Sequence, residues 1–251
     1  MIPSIRNLTS PQRTPQANLR LGAALAFVAG AANAGGYLAV GQYTSHMTGI
    51  ISLMADNIVL GQTTLVLSGL SALCAFLAGS IASSMLVTWA KRRRLRSHFA
   101  LPLALEALLL LVFGLLGAAM DNQIAFLLPE TVLVLCFTMG LQNATITRIS
   151  HSEIRTTHIT GLVTDLGMEI GRLIYFNRSG ELGRIEADRR KLRIQLRLIL
   201  MFVVGGIAGA LGFKQLGYGT TLPLAALLIV LTMLPMIDDM RLRYRFLRRS
   251  I

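Results

Sequence analysis

Charged residues are scarce in this sequence, and acidic residues are the scarcest. Only 14% of the 251 residues are charged, and just 12 are Asp or Glu. Hydrophobic residues make up 53% of the chain, and the mean hydropathy is +0.61. Soluble domains average about 25% charged residues, so this composition lies far from theirs.

Cysteine and the usual catalytic sequences are also nearly absent. The two cysteines, Cys74 and Cys136, each lie inside an apolar run and form no disulfide framework. The sequence contains no Walker loop, dinucleotide fingerprint, nucleophile elbow or metal-spaced set of Cys and His. We therefore expect no enzyme activity, no cofactor and no metal site.

What the sequence has instead is a series of long apolar runs. Several reach the ~20 residues that a helix needs to cross a membrane, and most lack the polar face of a soluble helix. The runs are Leu21–Val40, Thr63–Ala90, Phe99–Met120, Ile124–Ile146, Ile194–Phe213 and Thr221–Met236. They predict an all-α integral membrane protein.

The net charge of +12 would suit a nucleic-acid-binding protein, but the positions of Lys and Arg argue against it. These residues lie between the apolar runs. If the six runs cross the membrane, 23 of the 24 Lys and Arg lie on one side, and only Lys214 lies on the other. A cytoplasmic face has this asymmetry. We therefore predict six transmembrane helices, both termini in the cytoplasm, a bacterial inner membrane location and no nucleic-acid partner.

An internal repeat is the firmest signal in the chain. Four segments of the first half recur in the same order in the second half. The matches are Gly30–Ala34 with Gly140–Ala144, Thr44–Gly49 with Thr156–Gly161, Phe76–Ala82 with Phe202–Ala208, and Leu101–Ala104 with Leu222–Ala225. The first repeat covers about residues 19–120 and the second about residues 123–240. Residues 1–18 and 241–251 form cytoplasmic tails around this single transmembrane domain.

Each repeat also contains one short helix, about Thr48–Leu60 and about Ile159–Tyr175. Both carry charge inside a short apolar stretch, so we predict that neither spans the membrane. Three crossings per repeat is an odd number, so the two repeats would enter the membrane in opposite directions. Inverted repeats with interrupted helices are typical of secondary transporters, whose substrate site lies near the midplane.

A Thr-x-His-x-Thr-Gly element precedes each short helix. We call Thr44–Gly49 the first motif and Thr156–Gly161 the second motif. The threonines can cap free backbone N–H groups, and the glycines permit a tight entry or close packing. A helix N-terminus suits an anion or a polar solute, and His titrates near neutral pH. The motifs either bind a ligand or proton, or fix a re-entrant loop to its neighbours, and both roles can hold together.

Other polar residues in the apolar segments are candidates for the same site. Asn33 and Asn143 occupy matching positions and either satisfy local backbone or contact substrate. Asp165, Glu169 and Arg172 share one helical face, which lies toward a cavity or rests at the cytoplasmic interface. Glu106 is a lone acid in a transmembrane run, and it faces a functional site or reaches toward the cluster Lys91–Arg96.

The candidates fall into two sets. The residues predicted to bind substrate are Asn33, Thr44, His46, Thr48, Gly49, Gln142, Asn143, Thr156, His158, Thr160, Gly161 and Asp165. The residues predicted to couple a proton or ion are His46, Glu106, His158, Asp165 and Glu169.

The first motif, together with the segment from Gly140 through the second motif to Gly167, resembles the YoaK family of bacterial inner-membrane proteins. The likeness covers about residues 19–241. Members are described as small permeases of unknown function, so the resemblance implies a class of protein and no substrate. One position departs from the family pattern, because Ile50 follows Gly49 where an Asn often stands in the family.

We thus expect a secondary permease for a small polar or anionic solute, working by alternating access. The alternative is a membrane module that transports nothing and binds lipid or a partner protein through the basic loop Arg178–Arg193. The expected partners are membrane lipids and a small solute. The sequence leaves open whether the chain forms a homo-oligomer.

Overall fold

The computed structural model describes residues 15–41, 43–95, 97–121, 128–150, 156–175 and 186–247. The N-terminal tail before residue 15, the junction of the two repeats at residues 122–127 and the last four residues lie outside these ranges. The first part of the basic loop predicted at Arg178–Arg193 also lies outside them, as far as residue 185.

Within these ranges the chain is helical, with turns and no strand. The helices are α1 (Pro15–Val40), α2 (Met47–Val59), α3 (Thr63–Arg92), α4 (Ala100–Asp121), α5 (Leu128–Ile149), α6 (Ile159–Ile174), α7 (Arg189–Leu216) and α8 (Thr221–Leu247), with a 3-10 turn at Gly217–Thr220 between the last two. The predicted all-α class is therefore confirmed for the described chain.

Sequence explains where these helices begin and end. Pro102, Pro129 and Pro223 each lie in the first turn of a helix, where a missing N–H breaks no intrahelical bond. Gly61 turns the chain between α2 and α3 with a φ of +68°, a conformation that suits glycine. At α7 the carboxylate of Asp188 caps the helix by accepting from the backbone N–H groups of Arg190 and Lys191.

Five segments of the described chain are long and apolar enough to cross a membrane. They are Gln16–Leu38, Thr63–Arg92, Ala100–Ala119, Glu130–Ile149 and Arg189–Met233, of which the last covers α7 and the first part of α8. The apolar side chains of α3 and α7 are largely exposed, as expected for helices in contact with lipid. This is the architecture of an all-α integral membrane protein.

The short helices differ from the long ones in length. Helix α2 has 13 residues and α6 has 16, which correspond to ~20 and ~24 Å of helix. A hydrocarbon core of ~30 Å is longer than either. Helix α2 packs on α3, and α6 packs on α7.

The long helices pack across the two halves of the chain. Helix α1 lies against α7, α5 lies against α3, and α4 lies against α8. Exchanging the halves leaves these pairings unchanged. The largest hydrophobic cluster lies where α1, α4, α5, α7 and α8 meet, with Leu21, Leu103, Met139, Leu198 and Leu228 among its buried members.

Glycines allow close contacts between the long helices. A methyl group at Gly30 would overlap the carbonyl oxygen of Phe202, and one at Gly140 would overlap the carbonyl oxygen of Phe76. These two contacts join matching positions of the repeat. Close backbone approach through small residues is the usual way in which membrane helices associate.

Candidate functional site

The first motif connects α1 to α2 and turns back toward α1. The Ser45 hydroxyl donates a hydrogen bond of 3.0 Å to Oδ1 of Asn33, seven residues before α1 ends at Val40. His46 is the N-cap of α2, and its carbonyl accepts the first helical bond, from the N–H of Ile50, at 3.1 Å. The loop is therefore held against the side of α1, about two turns before the C-terminal end of that helix.

The second motif repeats this arrangement. The Thr157 hydroxyl donates to Oδ1 of Asn143 at 2.8 Å. His158 is the N-cap of α6, and its carbonyl accepts from the N–H of Leu162 at 3.1 Å. Asn33 and Asn143 thus play the same structural part in the two halves, as acceptors that fix a motif loop to the preceding helix.

The threonines of the motifs do not act as predicted. The N-caps are His46 and His158, and neither side chain makes a capping bond. Thr44 and Thr156 lie two residues earlier and are buried, and their hydroxyl oxygens find no hydrogen-bond partner among the described residues. The prediction that these two threonines cap the short helices is wrong, because the loop carries them into the protein interior.

The motif glycines make room for the imidazoles. A methyl group at Gly49 would lie 2.7 Å from Nδ1 of His46, and one at Gly161 would overlap Nδ1 of His158. Each ring therefore lies against the first turn of its own helix, which the absence of a Cβ permits. The sequence predicted close packing at these glycines but did not identify the partner.

The two motifs line one cavity of about 470 Å³, which we call the motif cavity. Its walls come from both short helices and from α3 and α5. The lining residues are Ser45, His46, Met47 and Thr48 of the first motif, Thr157, His158, Ile159 and Thr160 of the second, and Phe76, Asn143 and Thr147 of the long helices.

The described lining combines polar side chains with the apolar Met47, Phe76 and Ile159. Among the residues that the structure describes, it contains hydroxyl groups, two imidazoles and one amide, but no Asp, Glu, Lys or Arg. Met47 and Thr48 are the first two residues of α2, and Ile159 and Thr160 are the first two of α6. Two helix N-termini, each with a partial positive charge and unpaired N–H donors, therefore meet at one cavity.

Six lining residues were missed by the sequence predictions. Four of them lie inside the two motifs, namely Ser45, Met47, Thr157 and Ile159, and the other two lie in the long helices. Phe76 opens one of the repeated segments, and Thr147 follows Asn143 by one helical turn and so shares its face.

Several predicted site residues lie elsewhere. Gln142 is buried and donates from Nε2 to the carbonyl oxygen of Leu25 at 2.8 Å, so it joins α5 to α1. Asn33, Gly49 and Gly161 support the motif loops without lining the cavity.

Asp165, Glu169 and Arg172 belong to an ion-pair cluster between α6 and α7, which we call the α6–α7 cluster. Glu169 is buried and bonds to Arg172 at 3.0 Å, and its other oxygen accepts the N–H of Asp188 at 3.0 Å. Lys191 lies 3.7 Å from Asp165 and 3.8 Å from Glu169. These acids fasten the two helices together, and neither lines the motif cavity.

Glu106 is fully buried in α4 and does not line the cavity either. The expectation that it reaches toward Lys91–Arg96 is wrong for the described part of that cluster. Its two carboxyl oxygens have no hydrogen-bond partner there, and Lys91 lies over the ring of Phe99 instead.

Comparison with known proteins agrees with the architecture. The chain is 29% identical over 189 residues to the UPF0700 transmembrane protein YoaK of Bacillus subtilis (strain 168), an alignment that covers 74% of this chain and 80% of the relative. No solved structure matches. This similarity and the apolar helices identify a multi-pass membrane protein of a family without an assigned function. Since residues 21–234 match the family described as Protein of unknown function (DUF1275), the chain belongs to that family, as the resemblance of its motifs to YoaK indicated.

Proposed function

We propose that this protein is a secondary permease that moves a small polar or anionic solute across the bacterial cytoplasmic membrane by alternating access. The observation that carries the proposal is that two repeated motifs, 112 residues apart in sequence, line a single cavity. A cavity of about 470 Å³ has the size of small-molecule sites, which range over about 300–1,000 Å³.

In the proposed topology six helices cross the membrane and α2 and α6 do not. The length of the short helices and the placement of 23 of the 24 Lys and Arg on one side support it. Both termini then lie in the cytoplasm, and the repeats run in opposite directions. The matching glycine contacts, Gly30 with Phe202 and Gly140 with Phe76, support a two-fold relation between the halves.

The position of the cavity fits this scheme. Phe76 lies near the middle of α3, and the motif loops begin α2 and α6. Helix α2 would run from the midplane to the outer side, and α6 would run from the midplane to the cytoplasm. A site at such a junction can open to either side when one repeat moves against the other.

The lining favours an anion or a neutral solute rich in acceptors. Backbone N–H groups at two helix N-termini and several hydroxyls supply donors, and no carboxylate of the described lining opposes a negative charge. The imidazoles of His46 and His158 add two further donors when protonated.

A ligand screen followed by flux measurement tests the proposal. Purified wild-type protein is screened for thermal stabilisation by small anions and polar solutes, and each hit is assayed for uptake in proteoliposomes. We expect at least one hit to be transported, and we expect His46→Ala and His158→Ala each to abolish its uptake while membrane insertion is retained. The exposed α2 residue Ser52 gives a matched control, since Ser52→Ala should transport normally.

Two outcomes would contradict the proposal. Full uptake by both histidine variants would show that the solute does not bind in the motif cavity. If no stabilising ligand were carried across the bilayer, the protein would not be a permease for these ligands.

One observation favours the second candidate function, a lipid-binding module. Arg189, Arg190 and Arg193 are exposed at the start of α7, and the apolar residues Ile170 and Ile174 are exposed on α6, which packs on α7. Basic residues next to an apolar surface attract anionic headgroups. Specific binding of anionic lipid by protein that moves no tested solute would support this function over the permease.

A further inference from the structure

Glu106 is an anomaly that the motif cavity does not explain. It is a carboxylic acid with 0% exposure in α4, inside one of the transmembrane segments. Neither carboxyl oxygen has a hydrogen-bond partner among the described residues. Its neighbours on the same face of α4, Leu103 and Leu110, belong to the main hydrophobic cluster.

An ionised carboxylate is not stable in such a place. A buried charge persists only when it is paired or hydrogen-bonded, and ionisable residues inside a membrane are costly unless they find a partner. The protonated form removes the charge and leaves a smaller polar group to accommodate. The surroundings of Glu106 therefore select the neutral acid.

The charged and titratable groups on the elements that pack against α4 are occupied elsewhere or exposed. On α3, Lys91 lies over Phe99, and Arg92 and Cys74 are exposed. On α5, Glu130 is exposed and the Arg148 guanidinium donates to the carbonyl and hydroxyl of Ser84.

The other titratable groups near α4 also make their contacts with residues other than Glu106. Cys136 of α5 belongs to a separate hydrophobic cluster with Ile50. Tyr218 of the 3-10 turn packs on Phe113, and α8 has no titratable residue between Thr221 and Met233. His98, just before α4, contacts the carbonyl oxygen of Leu95.

We propose that Glu106 is a proton-carrying carboxylic acid within the membrane, and that its proton is the coupling ion of the transport cycle. The second half of this statement rests on the proposed permease function, whereas the protonation of Glu106 does not. The first repeat carries this acid at a position where the second repeat is apolar, so coupling is assigned to one half of the molecule. The solute site and the proton site are then separate.

Hydrophobic carbodiimides test the protonation directly. Dicyclohexylcarbodiimide reacts with a protonated carboxyl group: the acid proton moves to one nitrogen of the reagent, the carboxyl oxygen adds to its central carbon, and the acyl group then shifts to the other nitrogen. The product is a stable N-acylurea with no leaving group, which mass spectrometry locates in the sequence.

We expect purified wild-type protein to be modified at Glu106 at about pH 7–8, where an exposed glutamate is ionised. Glu130 and Glu169 serve as internal comparisons, because the first is exposed and the second is ion-paired. The variant Glu106→Gln should lose the modification and keep its fold. Modification of Glu130 to the same extent as Glu106 would overturn the proposal.

Infrared spectroscopy supplies a measurement that does not depend on access by the reagent. The C=O stretch of a protonated carboxyl should be present at neutral pH in the wild type and missing in Glu106→Gln. A carboxylate band that disappears in this variant would show that Glu106 is ionised and would overturn the proposal. So would protection from carbodiimide by Na⁺ at constant pH, which would identify a metal cation as the ligand.

Coupling is then tested separately. If the permease function holds, Glu106→Gln should still be stabilised by the transported solute but should lose uptake driven by a pH gradient. Uptake that responds to the gradient as in the wild type would overturn the coupling role. A protonated Glu106 in a protein that transports nothing would instead overturn the permease function alone.

Discussion

Thr157 donates a hydrogen bond of 2.8 Å to Asn143, and this bond fixes the second motif to α5 at the wall of the motif cavity. The Ser45–Asn33 bond of 3.0 Å does the same for the first motif and α1. A loop that enters a membrane domain must satisfy its polar groups within the protein. These two bonds therefore hold the histidines at the cavity.

Replacing Thr157 by valine removes the donor while keeping the side-chain shape. Oδ1 of Asn143 then loses its partner, and we expect the variant to be destabilised by about 0.5–1.5 kcal/mol, the usual net contribution of an intramolecular hydrogen bond. Unfolding of the purified protein in mixed micelles measures the change.

Thr164 offers a matched control on α6. Its hydroxyl donates only to the carbonyl oxygen of Thr160, one turn earlier on the same helix, and it is exposed. Thr164→Val should leave stability within about 0.5 kcal/mol of the wild type. Equal losses for the two valine variants would show that the bond to Asn143 does not anchor the loop.

Gly161→Ala should displace the His158 imidazole. A methyl group there overlaps Nδ1 of the ring, so the side chain has to swing away from the first turn of α6. We expect a ligand of the motif cavity to bind at least tenfold more weakly, as measured by titration of the purified protein.

The same helix provides the control for this substitution. Gly167 and Gly171 have open space where a Cβ would be added. Gly167→Ala should bind ligand normally and should stabilise the helix slightly, since alanine is favoured over glycine by about 0.5–1 kcal/mol in a helix. Unchanged ligand binding in Gly161→Ala would show that Gly161 does not determine the position of the His158 imidazole.

Two adjacent glycines on α7, Gly205 and Gly206, should differ in how well they tolerate alanine. A methyl group at Gly205 would overlap the backbone carbonyl of Phe27 on α1, whereas one at Gly206 would meet only the carbonyl oxygen of Gly30 at 3.8 Å. We expect Gly205→Ala to cost about 1–3 kcal/mol through overpacking and Gly206→Ala to be tolerated. Thermal unfolding of both variants decides this, and similar melting temperatures would contradict the close α1–α7 packing.

The sequence predicted the helices well because their signals are local. The short helices were expected at Thr48–Leu60 and Ile159–Tyr175, and they occur at Met47–Val59 and Ile159–Ile174. Apolar length and charge suffice for this, since a membrane helix satisfies its own backbone.

The cavity was harder to predict because it depends on contacts between distant segments. The motifs meet because α1 packs on α7 and α3 packs on α5, and helical periodicity does not encode such pairings. For the same reason Asp165 was expected at the site, although Lys191, brought close by the packing of α6 on α7, pairs with it instead. The buried position of Thr44 was equally unpredictable, since a threonine just before a helix is usually its N-cap.

Asp188 should make the start of α7 sensitive to acid. The N–H of Lys191, and then that of Arg190, donate to its carboxylate and hold the pKa of Asp188 below its ordinary value. A carboxyl whose pKa is lower in the folded state stabilises that state above its unfolded pKa of about 3.9 and loses this contribution as the pH falls through the folded value. The protection of the amides of residues 188–193 against hydrogen exchange, relative to the intrinsic rate at each pH, should therefore be high at neutral pH and fall below about pH 4.

Two substitutions distinguish the cap from its charge. Asp188→Ala removes the acceptor, so the same amides should be poorly protected at every pH. Asp188→Asn keeps an acceptor that does not titrate, so their protection should persist and lose its dependence on acid. If the asparagine variant showed the same acid response as the wild type, the response would have to come from another group. Glu169, which accepts the N–H of Asp188, would then be the first residue to replace, by glutamine.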